Sequence, residues 1–272
     1  MGGALRQYRE NLGYTLEDAA QFLQCDRSRI SRIENGLRGI RPKELRELLT
    51  EYGIGEQQQA ILAVMTDSRR GRGWYEAYAD VLPGAWRDYL VLEATASRVL
   101  CYEAQRVPGL LQTPAYARAL ADADLELAGG EARDKAVEAT LARQKAILGE
   151  RKPDVHIVIG EAALHQRVGG LAVLEGQLRV LAGFAADSGT VTVQVLAFDS
   201  GAHGAAGAGA LSMLQIADAP GLGLVHLGGV GGGVCLEAQE DIAACARVFE
   251  QVKAFALSPA QSALLLRGLA DR

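Results

Sequence analysis

The chain is poor in the residues that announce chemistry. Its 272 residues include only four cysteines (Cys25, Cys101, Cys235, Cys245) and four histidines (His156, His165, His203, His226). The cysteines have no close pairing and no CxxC spacing, so the plain reading is reduced thiols in a cytoplasmic protein. The histidines match no common zinc pattern, and His203 with Asp199 in a glycine-rich loop is the only mildly suggestive pair. No stretch reaches the roughly 18 consecutive apolar residues needed to span a bilayer. The first ten residues are polar, so no secretory leader is expected. Gly-x-Ser-x-Gly and GxxxxGK[ST] are both missing. Gly229-Val230-Gly231 does not complete GxGxxG, because Val234 takes the last position. The expectation is a soluble cytoplasmic protein without metal, cofactor or enzymatic activity.

What is present begins near the N-terminus. Thr15 is placed to cap a first helix, with Asp18 at the reciprocal position three residues on. Ala19, Phe22 and Leu23 follow at helical spacing as its apolar stripe. Gln24-Cys25 is a turn, Asp26 an N-cap for a second helix, and Gly36 its stop. In that second helix Ile30 and Ile33 point one way. Ser28, Ser31, Arg32 and Asn35 point roughly the opposite way, with Arg27 and Arg29 at the edges. This is the layout of a helix-turn-helix whose second helix reads the major groove of double-stranded DNA.

Net charge is −5, against a general nucleic-acid coat. Between Arg27 and Arg46, however, seven basic residues face two acidic ones, a local balance of +5. A basic patch on an acidic protein suits a site-specific binder.

The N-terminal segment resembles the Xre-type, phage-repressor-like helix-turn-helix family. The matching residues are Leu5, Arg6, Arg9, Gly13, Thr15, Ala20, Ser28, Ile30 to Gly36, Leu45, Leu48 and Gly53. The resemblance implies that Arg27, Ser28 and Arg32 approach bases, with Ser31 and Asn35 beside them. It implies that Arg38, Arg41 and Lys43 lie along phosphates, and that Arg9 pairs with Glu34 inside the module. Leu16 departs from a usual glutamine, and Gln24 from a usual turn glycine.

Further along, residues 2–13 and Pro42–Tyr52 read as helices, Glu56–Thr66 as a fifth, and 67–73 as a linker. Trp86–Arg106 reads as one long helix, Pro114–Ala121, Glu131–Leu148, Gly160–Arg167 and Leu171–Ala186 as others. Val155–Ile159, Thr190–Leu196, Ala210–Ile216, Leu222–Leu227 and Val234–Glu237 read as strands, and Gln239–Leu257 and Ser258–Leu269 as closing helices. The expected architecture is α+β. A five-helix all-α module (1–66) and a linker (67–73) precede an α+β domain (74–272) with a small, mostly antiparallel sheet. The glycine clusters 201–209 and 228–233 read as connections flanking strands or as a flap over a cavity. In Val107–Thr113, Pro108 and Gly109 set a turn, Leu110 and Leu111 fill the core and Thr113 caps a helix, while Gln112 stays open between structure and a groove.

Leu92-Glu93-Ala94, the run Val107 to Ala119 with its PGLLQT core, Arg143-Gln144, Glu161 to Leu164, Val168-Gly169-Gly170, Gln177-Leu178 and Val193 to Phe198 carry a second resemblance. They look like the signature motifs of the antitoxin-like transcriptional regulators of actinobacteria. Gly160 and Ala197 depart from a usual aspartate and proline. The resemblance implies a DNA-binding regulator with a small partner protein. Because one such module buries little surface, a homodimer on an inverted repeat is expected, its second domain dimerising and binding the partner or sensing a small molecule.

Overall fold

The computed structural model describes residues 2–35, 38–55, 59, 74–82, 84–187, 189–215, 223–229, 232–236 and 238–272. The expected stop at Gly36, fifth helix (56–66) and linker (67–73) lie outside those residues. The described residues up to Gln59 make one compact unit and those from Trp74 onward another.

The first unit is helical. Helices α1 (Gly2–Asn11), α2 (Leu16–Phe22), α3 (Arg27–Glu34) and α4 (Pro42–Glu51) enclose Leu5, Ala19, Ile30, Ile33, Leu45, Leu48 and Leu49, all buried. The rings of Tyr14, Phe22 and Tyr52 close one end, with centroids 5.3 to 6.3 Å apart. The capping box at α2 forms as the sequence requires: Asp18 N–H donates to Thr15 Oγ1, and Thr15 N–H donates to Asp18 Oδ2. Asp26 holds the N-cap position of α3, but its side chain makes no capping hydrogen bond.

Two helix ends share one motif and differ in one residue. After α4, Gly53 has φ +65°, its N–H donating to Thr50 and that of Ile54 to the Leu49 carbonyl. After α2, Gln24 has φ +48°, its N–H donating to Gln21 and that of Cys25 to the Ala20 carbonyl. Both are Schellman ends, and the left-handed position strains any side chain with a Cβ.

In the second unit a six-stranded sheet is ordered β3-β2-β1-β4-β5-β6. The strands are β1 (Arg98–Glu103), β2 (Asp154–Gly160), β3 (Val191–Leu196), β4 (Ala210–Gln215), β5 (Gly223–Leu227) and β6 (Val234–Leu236). The pairings β1–β2 and β2–β3 are parallel; β1–β4, β4–β5 and β5–β6 are antiparallel. Helices α5 (Gly84–Glu93), α6 (Pro114–Ala123), α7 (Gly130–Gln144), α8 (Leu171–Ala186), α9 (Gln239–Phe255) and α10 (Pro259–Ala270) complete an α+β fold.

Two expected helices are corrected. Trp86–Arg106 is not one helix: α5 stops at Glu93 and the chain re-enters as β1. Val99-Leu100-Cys101-Tyr102 must cover two faces at once. Ladder partners on both sides, Asp154–Ile159 and Ala210–Gln215, outweigh the helical spacing. Gly160–Arg167 shortens to a single 3₁₀ turn at Glu161–Leu164.

The two faces of β1 differ in kind. Leu100 and Tyr102 join Val158, Leu211, Met213 and Val225 in a core sealed by Phe249 and Val252 of α9. Val99, Cys101 and Glu103 point the other way. Glycines 201–209 belong to the sealed side: Gly204 N–H donates to Gln251 of α9, and Ala205 is part of that core.

Removing the strain at the end of α2 gives a direct check. Gln24→Gly is expected to raise the unfolding free energy of the helical unit by about 0.5–1 kcal/mol. The measurement is the chemical-denaturation midpoint; a lower midpoint would show that Gln24 is not strained.

Candidate nucleic-acid interface and cavity

Helix α3 is held from behind and open in front. Behind it, Ile30 and Ile33 are buried, and Glu34 accepts two hydrogen bonds from Arg9 of α1, Nε to Oε1 at 2.7 Å and Nη2 to Oε2 at 2.9 Å. The third arm of that guanidinium donates to the Tyr14 carbonyl at 2.8 Å. Both side chains are buried, and Glu34 holds the Arg9 pKa above its usual value against the cost of burial. Arg29 is half-buried, its Nη2 lying 2.8 Å from both carboxylate oxygens of Glu44 on α4. It fastens α3 to α4 rather than facing out.

In front, the expected base-facing residues share one surface. Arg27, Ser28, Arg32 and Asn35 are exposed and Ser31 half-exposed. Arg32 donates to the Ser28 carbonyl and hydroxyl at 3.3 Å, and Asn35 Nδ2 donates to the Ser31 carbonyl at 2.8 Å. Arg27 lies 3.3 Å from Glu17 of α2. Arg38, Arg41 and Lys43 are also exposed, and the Arg38 N–H donates to the Arg32 carbonyl, which draws that segment onto the end of α3.

The second unit holds a feature that sequence reasoning missed. A cavity of about 500 Å³ lies over the Cys101 face of β1. Ile157 and Ser212, the ladder partners of Cys101, continue its floor, and α5, α6, α7 and the turn at 106–112 wall it. Neither glycine cluster lines it among the described residues. At its side Glu93 of α5 and Arg143 of α7 form a buried bidentate pair, both contacts 2.7 Å. Burial opposes charge on Arg143, but Glu93 more than compensates and the Arg143 pKa is raised. The guanidinium carbon sits 5.0 Å from the Trp86 ring centre and 5.7 Å from that of Tyr89. Burial pushes the Cys101 thiol up to about 12, so it is a neutral, inert group.

The Val107–Thr113 run is a locked turn. Gln144 Nε2 donates to the carbonyls of Gly109 and Gln112, both at 2.8 Å. Gln177 of α8 accepts from Thr113 N–H and donates to the Leu111 carbonyl, both at 2.7 Å. Gln112 Nε2 donates to the Val107 carbonyl at 2.7 Å, and Thr113 Oγ1 caps α6. Gln112 is therefore a structural residue that also lines the cavity. At Gly109 a Cβ would stand 3.3 Å from Arg143, so the glycine keeps the turn close to the guanidinium.

Residues 86–268 match the family described as a domain of unknown function, DUF5753, and the chain belongs to that family. Residues 1–61 match the model described as a helix-turn-helix domain, and the protein is a DNA-binding regulator of that kind. No curated protein and no solved structure matches the chain. Among the described residues no helix is long and apolar enough to cross a membrane.

The Arg9–Glu34 pair sets the pose of α3, and cutting it takes two hydrogen bonds and the buried counter-charge from a buried guanidinium. Glu34→Ala is expected to cost about 3 kcal/mol and lower the melting temperature with the helical circular-dichroism spectrum retained below the transition. An unchanged midpoint would show the pair to be energetically silent.

Proposed function

We propose that this chain is a sequence-specific transcriptional regulator that binds DNA as a homodimer. Arg27, Ser28 and Arg32 of α3 reach base edges, with Ser31 and Asn35 beside them. Arg38, Arg41 and Lys43 fix the register on phosphates without reading sequence. The observation that carries this is that seven of these side chains are exposed and Ser31 half-exposed, on and after a helix whose opposite side is buried. The i,i+4 hydrogen bonds of Arg32 and Asn35 order these side chains before DNA arrives, which lowers the entropy lost on binding. Dimerisation follows from size: one such module buries too little surface for tight specific binding, and two on an inverted repeat double it.

The second unit is then the dimerising and regulatory part. The resemblance to Xre-type and actinobacterial antitoxin-like regulators favours control by a small partner protein. The cavity favours the other reading, control by a small molecule, since a drug-sized concave space with polar groups in its lining is what such a ligand needs.

Two variants separate the roles, measured on duplexes that the full-length protein selects from a random pool. Arg32→Ala is expected to relax preference at its contacted position by about 1–3 kcal/mol. Lys43→Ala is expected to weaken all duplexes alike and reduce the salt slope by about one. Similar behaviour of the two variants would refute the assignment. In sedimentation of the selected complex the expected stoichiometry is two chains per duplex; one chain per duplex would refute the dimer.

A further inference from the structure

The cavity of the second unit carries a carboxylate that its walls pair only in part. Glu103 lies on the floor strand and is only 7% exposed. Its one hydrogen bond among the described residues is long, Arg106 Nε to Oε1 at 3.4 Å, and the Arg106 side chain is about half exposed (49%). Oε2 has no donor. Arg143, the other cation in the lining, is committed to Glu93 through two contacts of 2.7 Å. Burial raises the Glu103 pKa, with Arg106 and Arg143 opposing it only in part. Polar and charged groups at such positions are kept at a cost unless something pairs with them.

The rings of Tyr89 and Trp74 also line the cavity. The remaining lining is mostly apolar, including Leu82, Leu90, Leu110 and Leu120. Exposed Asp124 at the rim adds a second negative charge, which draws cations toward the opening.

We propose that this cavity binds a small amine with a largely apolar body, its ammonium group donating to Glu103 Oε2. The proposal rests on the small-molecule reading above and names the ligand class. A cation pairs with the Oε2 that Arg106 leaves open, while a carboxylate would set two like charges together and a neutral molecule would leave the acid as it is. Arg106, half in solvent already, turns outward as the amine arrives.

The test is calorimetric titration of the full-length protein with three probes on one skeleton: 2-(2-naphthyl)ethylamine, 2-(2-naphthyl)ethanol and 2-naphthylacetate. The amine is expected to bind about tenfold or more tightly than the alcohol, the gain of a hydrogen bond to a charged group, and the acid not to bind. Glu103→Gln is expected to erase the amine's advantage while keeping the alcohol's affinity, which also reports an intact cavity. If that variant does not fold, the order of the three probes on the unmodified protein decides alone. An amine preference that survives in Glu103→Gln overturns Glu103 as the seat. Equal or tighter binding of the alcohol or the acid overturns the amine class and leaves the small-molecule reading standing. No binding by any of the three overturns both.

Discussion

One buried guanidinium organises the second unit. Arg143 has to be charged, and it is largely withdrawn from water, so the surroundings are built to satisfy it. Glu93 takes two of its N–H groups, and the faces of Trp86 and Tyr89 take its flat surface. Gly109 gives up a side chain so that the PGLLQT turn can approach. The neighbouring residue, Gln144, then bonds two carbonyls of that turn, and Gln177 bonds it from α8. A single pair therefore fixes α5 against α7, and the turn against both. Breaking it by removing one partner leaves a bare charge in the interior, which is far more costly than replacing the pair whole.

Strand β1 divides this unit by the alternation of its side chains. The Leu100 and Tyr102 side is filled and sealed by α9. The Cys101 and Glu103 side is left partly empty and polar. A chain that wanted only a stable core could fill both sides with aliphatic groups, as it did on the first. Leaving that side open and partly polar costs stability that a filled core would keep. In the helical unit the same economy appears in small form. Arg9, Glu34, Arg29 and Glu44 hold α3 from behind, so its front face is free to carry exposed serine, arginine and asparagine.

How much of this was legible depended on sequence distance. The helix-turn-helix could be read because its determinants are local: the Thr15–Asp18 box, apolar residues at helical spacing and a turn at Gln24. The Arg9–Glu34 pair spans 25 positions and came only from resemblance. Strand β1 was read as helix because a strand buried on both faces shows no alternation in polarity, and its ladder partners lie far along the chain. The Glu93–Arg143 pair spans 50 positions, and nothing in either local segment announces it. Both residues did sit in motifs that carried the second resemblance. So did Gly109, Gln112, Gln144 and Gln177, and the fold gathers all six beside one cavity wall. That clustering was the available signal, and reading it required knowing that separate motifs meet in space.

The central claim is that the exposed face of α3 directs this protein to particular DNA sequences. Genome-wide occupancy of the tagged full-length protein in its own cells tests that most directly. A small number of sharp sites that share an inverted repeat, with half-sites about one helical turn apart, is the predicted result. Diffuse occupancy with no common sequence would contradict it.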